Sequence, residues 1–172
     1  MIRRRRLLAL ALSGVSVAAM GLASVTQFTP RLVWNASASA PIGLYRIEMR
    51  APEIRDYVLV QPNRDIEILI AERGYLPENI PLLKRVAALP GAKICRKGKG
   101  IFIDGIPVAD ALSVDSAGRI LPAWVDCFSL SANEIFLLND PKNSLDGRYF
   151  GATHLDDVIG VAGPLWVREN ER

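Results

Sequence analysis

The stretch that decides the fold covers residues 81–91 and reads PLLKRVAALPG. Its apolar run has the length of a buried strand, and side chains alternate between the two faces along a strand. Lys84 then shares a face with Leu82, Val86 and Ala88. Desolvation on such a face lowers the pKa of a lysine and suits it to act as a general base near neutral pH. The alternative is that Lys84 extends past the apolar surface and keeps its amine in water.

Strand patterns recur along the chain, with one soluble helix among them. The helix is predicted over Asp65–Gly74, capped by Asp65. Asp104-Gly105 between apolar runs predicts a hairpin, and residues 109–131 are predicted to be irregular. Together these patterns favour one mainly β domain, an open or distorted β-barrel with one short helix. Further strands are predicted at Leu44–Met49, Tyr57–Val60, Glu134–Leu138 and Val158–Val167.

The N-terminus has the composition of a membrane anchor. Arg3–Arg6 precede the uncharged run Leu7–Val25, whose roughly 19 residues would span about 28 Å as a helix, close to the hydrocarbon thickness of a bilayer. A cleaved signal peptide is the alternative, but the run is long for one and shows no distinct cleavage site. The arginines are expected to stay in the cytoplasm. We therefore expect a cytoplasmic head and a single-pass inner-membrane anchor over residues 1–30, followed by a periplasmic domain over residues 31–172.

Charge and ligand-forming residues narrow the function further. Without Arg3–Arg6, 17 basic residues stand against 18 acidic ones, so the rest of the chain carries a net charge of −1. This charge does not favour binding to nucleic acid. The apolar N-terminal run makes the lipid bilayer an expected partner. Cys95 and Cys127 are expected to form a disulfide in an oxidising compartment, with two buried thiols as the alternative. With His154 as the only histidine, we expect neither a metal site nor another cofactor.

A lysine base needs a hydroxyl nucleophile, and residues 35–45 offer two. They read NASASAPIGLY and contain Ser37 and Ser39. The segment follows the apolar run by about a dozen residues, which would place both serines close to the bilayer surface. Its small, polar composition is also typical of a plain linker.

A third segment, residues 143–151, reads NSLDGRYFG and follows a predicted buried strand. An ion pair between Asp146 and Arg148 would hold this loop in place. Ser144 could then reach a lysine amine and orient it. A polar turn with no further role is the alternative.

In this order after an anchor, the three segments resemble the bacterial type I signal peptidases, and most closely their conjugative-transfer (TraF-type) branch. The resemblance covers residues 35–165. It implies a Ser-Lys dyad in which Ser39 is the nucleophile and Lys84 the general base. Ser144 would orient the lysine. Asp146 and Arg148 would form the ion pair that supports this loop. The Ser37 hydroxyl could supply a second hydrogen bond to the oxyanion, and Ser37 also remains an alternative nucleophile.

The resemblance also implies a biological role. It predicts a membrane-anchored serine endopeptidase that cleaves leader peptides from exported precursors, with pilin-like subunits of a conjugative transfer or type IV secretion system as substrates and that machinery as partner. One alternative is a housekeeping signal peptidase of broad range. Another is a non-catalytic anchored scaffold of a secretion complex. Two departures from the housekeeping members stand out: a shorter spacing between Ser39 and Pro41, which points to the conjugative branch, and Gly147 in the third segment.

Overall fold

The computed structural model describes residues 10–18, 20–21 and 30–168 of the 172-residue chain. The chain divides into two units between Pro30 and Arg31, and each is described by itself. In the first unit, residues 10–18 and 20–21 are helical. No helix within the described ranges is both long enough and apolar enough to cross a membrane. The predicted anchor Leu7–Val25 lies in part, and the cluster Arg3–Arg6 entirely, outside the described residues.

The second unit is built mainly of strands. It also contains two helices, α1 (Arg64–Glu72) and the single turn α2 (Gly147–Phe150), and a short 3-10 turn at Leu155–Asp157. The strands described are β1 (Leu32–Asn35), β2 (Gly43–Glu48), β3 (Tyr57–Val60), β4 (Leu82–Ala88), β5 (Lys93–Lys97), β6 (Gly100–Ile103), β7 (Ile106–Asp110), β8 (Asp126–Ser129), β9 (Glu134–Leu137), β10 (Thr153–His154) and β11 (Val158–Val167).

These strands form two antiparallel sheets. The larger sheet has seven strands in the order β1-β2-β11-β3-β4-β9-β10, and the smaller has four in the order β7-β6-β5-β8. The larger sheet is open, because β1 and β10 are its two edges. The predicted mainly β class is therefore confirmed. One helix was predicted in this unit, and the structure contains a second, the short α2.

Strand β4 lies inside the larger sheet, between β3 and β9. Lys84 is opposite Val58 on β3, and Val86 is opposite Leu137 on β9. These three apolar partners are at most 2 % exposed, and full burial of such a side chain contributes about 1.5–3 kcal/mol. The register of β4 is thereby fixed, since a slip of one residue would turn Lys84 to the opposite face.

Helix α1 begins one residue earlier than predicted and ends two residues earlier. Its cap is Asn63, whose Oδ1 accepts a hydrogen bond from the Ile66 N–H at 3.0 Å. The prediction of Asp65 as the cap was wrong. Asp65 lies in the first turn, where a negative charge still favours the helix dipole.

The predicted hairpin is present in the smaller sheet. Ile103 on β6 pairs with Ile106 on β7, so Asp104 and Gly105 form the two-residue turn. In the same sheet, Cys95 on β5 is opposite Cys127 on β8, and the two are joined in a disulfide.

The larger sheet brings β2 unusually close to β11. A Cβ atom at Gly43 would lie 2.1 Å from the carbonyl oxygen of Trp166. No larger residue fits there without moving the backbone. Gly43 thus allows β2 to pair with β11 directly after the serine-containing loop.

Candidate functional site

Four of the residues that the sequence singled out line one cleft of about 570 Å³, and Asp146 and Arg148 lie outside its lining. The strand β4 contributes Lys84, the loop between β1 and β2 contributes Ser37 and Ser39, and the loop after β9 contributes Ser144. Much of the remaining lining is apolar and comes from α1, from β4 and from the segments after α1 and β7. The apolar lining residues include Ile70, Leu76, Ile80, Leu82, Leu112 and Leu121. Such a cleft suits a ligand with apolar groups.

Lys84 lies at the buried side of this cleft. Its residue is 5 % exposed, and its Nζ donates a hydrogen bond to Ser144 Oγ at 3.1 Å. Among the described residues this is the only hydrogen bond of the Lys84 side chain. An amine that extends to bulk water does not fit this degree of burial.

Burial lowers the pKa of Lys84 from 10.5 to about 8. The Asp146 carboxylate acts in the opposite direction, and the positive charge of Arg148 lowers the pKa further. A substantial fraction of the amine is therefore neutral near pH 8. A neutral amine can accept a proton, which an ammonium group cannot do.

The loop after β9 is held by a buried ion pair. Arg148 Nη1 lies 3.1 Å from Asp146 Oδ2, and the two residues are 3 % and 2 % exposed. Arg148 also donates to the carbonyl oxygens of Asn139 at 2.6 Å and Pro141 at 3.0 Å. Burial raises the pKa of the Asp146 carboxyl, and the Arg148 guanidinium opposes that shift. These contacts fix the part of the loop that presents Ser144 to Lys84.

Asn139 is a part of this site that the sequence did not single out. Its Nδ2 donates to the Leu83 carbonyl at 3.1 Å, and its Oδ1 accepts from the Arg85 N–H at 2.9 Å. The amide thus binds the backbone on both sides of Lys84. Its position directly after a buried strand and before Asp140-Pro141 is also typical of an ordinary turn, so the sequence contains no distinct signal for it.

The serine loop forms the opposite side of the cleft. Ser37 Oγ and Ser39 Oγ are 2.8 Å apart and share a hydrogen bond. The Ser37 N–H donates to Asn35 Oδ1 at 3.1 Å. Within residues 30–168, the Ser39 N–H has no hydrogen-bond partner. The structure therefore places Ser39 and Lys84 at one cleft, without a direct hydrogen bond between them in the described residues.

Gly147 departs from the housekeeping pattern for a reason of packing. A Cβ atom there would lie 2.7 Å from the Phe136 ring and 2.8 Å from the Leu137 carbonyl oxygen. A serine at this position would require the loop to move away from β9. Glycine at this position therefore allows the close contact between the loop and β9.

Cofactor ligands are scarce in the part of the chain that the structure describes. No group of three or more histidine, cysteine, aspartate or glutamate side chains in it could hold a metal ion. Cys95 and Cys127 are bonded to each other, and His154 is exposed on β10. The cleft presents hydroxyl, amine and amide groups and the Asp115 carboxylate.

Comparison with known proteins identifies the same family as the three sequence motifs. Residues 4–166 match the family described as signal peptidase, peptidase S26. The chain is 33 % identical over 175 residues to the conjugal transfer protein TraF of Agrobacterium tumefaciens (strain 15955), covering 95 % of this chain and 96 % of that protein. It is 31 % identical over 171 residues to the probable conjugal transfer protein TraF of Sinorhizobium fredii (strain NBRC 101917 / NGR234), covering 93 % and 89 %.

A plasmid transfer protein TraF from Escherichia coli is 30 % identical over 142 residues, which are 76 % of this chain and 80 % of that one. Among solved structures, a signal peptidase I from Enterococcus faecalis V583 covers 66 % of this chain and 98 % of its own, at a TM-score of 0.39 and 19 % identity. That structural likeness is too slight to add to the sequence matches. Since the family match spans most of the chain and relatives above 30 % identity cover nearly all of it, this protein belongs to the signal peptidase S26 family, in its TraF-type branch.

Proposed function

We propose that this protein is a serine endopeptidase in which Ser39 is the nucleophile and Lys84 the general base. The observation that supports the proposal most strongly is the state of Lys84. Its amine is buried, has a pKa of about 8, and lies at the same cleft as Ser39. A buried lysine whose pKa falls toward the working pH is suited to take a proton from a hydroxyl group.

In the proposed reaction, neutral Lys84 accepts the Ser39 hydroxyl proton as Ser39 Oγ attacks the scissile carbonyl carbon. The resulting ammonium group then gives that proton to the leaving amine, and the peptide bond breaks. An acyl-ester remains on Ser39. Water then attacks this ester while Lys84 accepts its proton, the bond between Ser39 Oγ and the acyl carbon breaks, and Lys84 returns the proton to Ser39 Oγ as the new carboxyl terminus leaves. Catalytic hydrogen bonds are often long in a free enzyme and shorten once substrate is bound, so the contact between Ser39 and Lys84 is expected to form in the complex.

The oxyanion that develops during attack needs hydrogen-bond donors. The free N–H of Ser39 is a suitable first donor, and the Ser37 hydroxyl, 2.8 Å from Ser39 Oγ, a suitable second. This arrangement favours Ser39 over Ser37 as the nucleophile. If Ser37 attacked, its own N–H would already be bound to Asn35.

We further propose that the substrates are exported precursors with leader peptides, and that pilin-like subunits of a conjugative transfer or type IV secretion system are the main ones. The apolar lining of the cleft supports a peptide substrate, and the resemblance to signal peptidases implies small residues before the cleaved bond. The names of the TraF relatives support a role in conjugation. The composition of Leu7–Val25 supports an anchor in the inner membrane, with the peptidase unit in the periplasm.

The proposal is tested by cleavage of a synthetic pilin-like precursor by the full-length protein in detergent. Ser39→Ala and Lys84→Met are each expected to lower kcat/KM on the order of 10³-fold or more, because general-base and nucleophilic catalysis are both lost. Ser116→Ala, in the same cleft, and Lys93→Met, on an exposed part of β5, are the matched controls.

A serine-directed acylating agent provides a second readout. Mass spectrometry should locate the label on Ser39 of the parent protein and find none on the Ser39→Ala protein. Labelling of Ser37 would instead assign the nucleophile to that residue. Cleavage by the Ser39→Ala protein at the parental rate would contradict the dyad. Absence of both cleavage and label would favour a non-catalytic scaffold. Equal cleavage of a broad panel of secreted precursors would favour the housekeeping role.

A further inference from the structure

One buried amide lies at the centre of the serine loop. Asn35, the last residue of β1, is 8 % exposed. Its Nδ2 donates to the carbonyl oxygens of Ser37 at 2.9 Å, Ala40 at 3.1 Å and Pro41 at 3.0 Å, and its Oδ1 accepts from the Ser37 N–H at 3.1 Å. A single side chain thus binds the loop on both sides of Ser39.

The chemistry of these contacts requires an amide. The NH₂ group offers two hydrogens that the three carbonyl oxygens share, while the amide oxygen serves the one N–H group. A carboxylate of the same shape could accept from the Ser37 N–H. It could not donate to the three carbonyls, and it would place a negative charge next to their oxygens.

These contacts determine which backbone groups remain free near Ser39. The three carbonyls that accept from Asn35 have their oxygens turned toward its amide. The Ser37 N–H is also taken, whereas the Ser39 N–H has no partner within residues 30–168. Asn35 therefore binds the Ser37 N–H and three carbonyls of the loop, while the Ser39 N–H stays without a partner among the described residues.

One other side chain holds the same loop. The hydroxyl of Tyr45, which is 0 % exposed, donates to the Pro41 carbonyl at 2.7 Å. Tyr45 thereby supports one of the three carbonyls that Asn35 binds. Its contribution to the position of Ser39 is expected to be the smaller of the two.

We propose that Asn35 is a positioning residue, which sets the orientation of the Ser39 hydroxyl and of the Ser39 N–H for attack and oxyanion binding. Asn35 also lines the cleft, but among the described residues its side chain makes no hydrogen bond to the Ser37 or Ser39 hydroxyl or to Lys84, so it acts through the loop backbone. The inference rests on the proposed function, since it takes Ser39 as the nucleophile. A displacement on the order of 1 Å in a reacting group costs about 100-fold in rate.

The test compares Asn35→Asp with the parent, using the full-length protein and the pilin-like precursor. Active sites are first counted by burst titration with the serine-directed acylating agent, and kcat is expressed per titrated site. We expect kcat per site to fall about 100-fold while KM changes less than about threefold. For Asn35→Ser, which introduces no charge into the cleft, the pH midpoint of the rate is expected to stay near that of the parent. Tyr45→Phe is expected to lower kcat per site by less.

Asn133→Ala is the matched control, since Asn133 donates only to the exposed Asp156 carboxylate. Fewer titratable sites with parental kcat per site would show a merely structural role and overturn the inference. So would an unchanged kcat per site. If Asn35→Asp does not fold, Asn35→Ser, which keeps one short donor, takes its place with the same expected outcomes. Failure of the proposed function is seen separately: the parent would then not be labelled at Ser39, and the inference would fall with it.

Discussion

On the lysine side of the cleft, five of the described polar residues are at most 5 % exposed: Lys84, Asn139, Ser144, Asp146 and Arg148. On the serine side, Ser37 is exposed and Ser39 half-buried, and the loop between two strands is tied mainly by one asparagine. The two sides have different tasks. The base needs a dry surrounding that lowers its pKa, whereas the nucleophile must be reached by a peptide. The contrast predicts that substitutions on the lysine side affect stability and pH dependence as well as turnover, whereas those in the serine loop affect mainly turnover.

The largest expected effect is on the stability of the lysine side. Arg148→Met leaves the Asp146 carboxylate buried without its partner, and it also leaves the carbonyls of Asn139 and Pro141 without a donor. Loss of one member of a buried pair costs about 3–5 kcal/mol. Urea unfolding measures the difference. Arg46→Met, which breaks the exposed pair with Glu48, is the matched control and should leave the free energy of unfolding nearly unchanged. An equal effect of both substitutions would refute the contrast between buried and exposed support.

A smaller effect is expected from pH alone. Catalysis needs neutral Lys84, and with a pKa of about 8 the neutral fraction rises roughly tenfold between pH 7 and pH 9. The rate kcat/KM on a substrate without titrating groups should rise by that factor and then level off. A profile that is flat from pH 6 to pH 10 would contradict the assignment of Lys84 as the base.

The same shift has a consequence for stability. In the unfolded chain the Lys84 pKa returns to 10.5, so the unfolded state binds more protons between about pH 8 and pH 10.5. The free energy of unfolding should therefore gain a contribution that rises with pH across this window. The Lys84→Met protein lacks that contribution, and the difference between the two unfolding curves isolates it.

The smallest expected effect comes from Ser144→Ala. It removes the only hydrogen bond of the Lys84 amine among the described residues, a contact of 3.1 Å, and one such bond contributes about 1 kcal/mol. We expect kcat to fall roughly fivefold, because the amine keeps its burial and loses only its orientation. Ser116→Ala, at the same cleft, should leave kcat unchanged. A loss from Ser144→Ala as large as that from Lys84→Met would mean that Ser144 takes part in the proton transfer itself.

How much of this could be read from the sequence differs between elements. The apolar run around Lys84 and the Asp104-Gly105 turn predicted β4 and a hairpin, because local alternation and turn chemistry decide both. Strand β8 was missed, in a region predicted to be irregular. Its residues are mostly exposed, and it is held by pairing with β5 and by Cys127, so it lacks an apolar pattern.

The site shows the same limit. The types and order of Ser39, Lys84 and Ser144 predicted a Ser-Lys dyad only through a family resemblance. Their spacing alone could not show that segments some 45 to 60 residues apart lie together in the fold. Asn35 and Asn139 gave no comparable signal. Each is a common loop residue, and each acquires its contacts only when the chain has folded. Roles that depend on side chain to backbone contacts between segments are therefore the ones that a single sequence hides.

The glycine and the tyrosine of the first motif belong to the scaffold. Gly43 permits the approach of β2 to β11, and Tyr45 holds the Pro41 carbonyl from within the core. A genome search that relies on this Gly-Leu-Tyr sequence would therefore gather every descendant that keeps the scaffold, including copies that have lost the hydroxyl at position 39. Sorting active from decayed copies requires the residues at positions 39 and 84. For engineering, the same separation means that a cysteine could be placed at position 39 on an unaltered support, to ask whether a thiol can replace the serine.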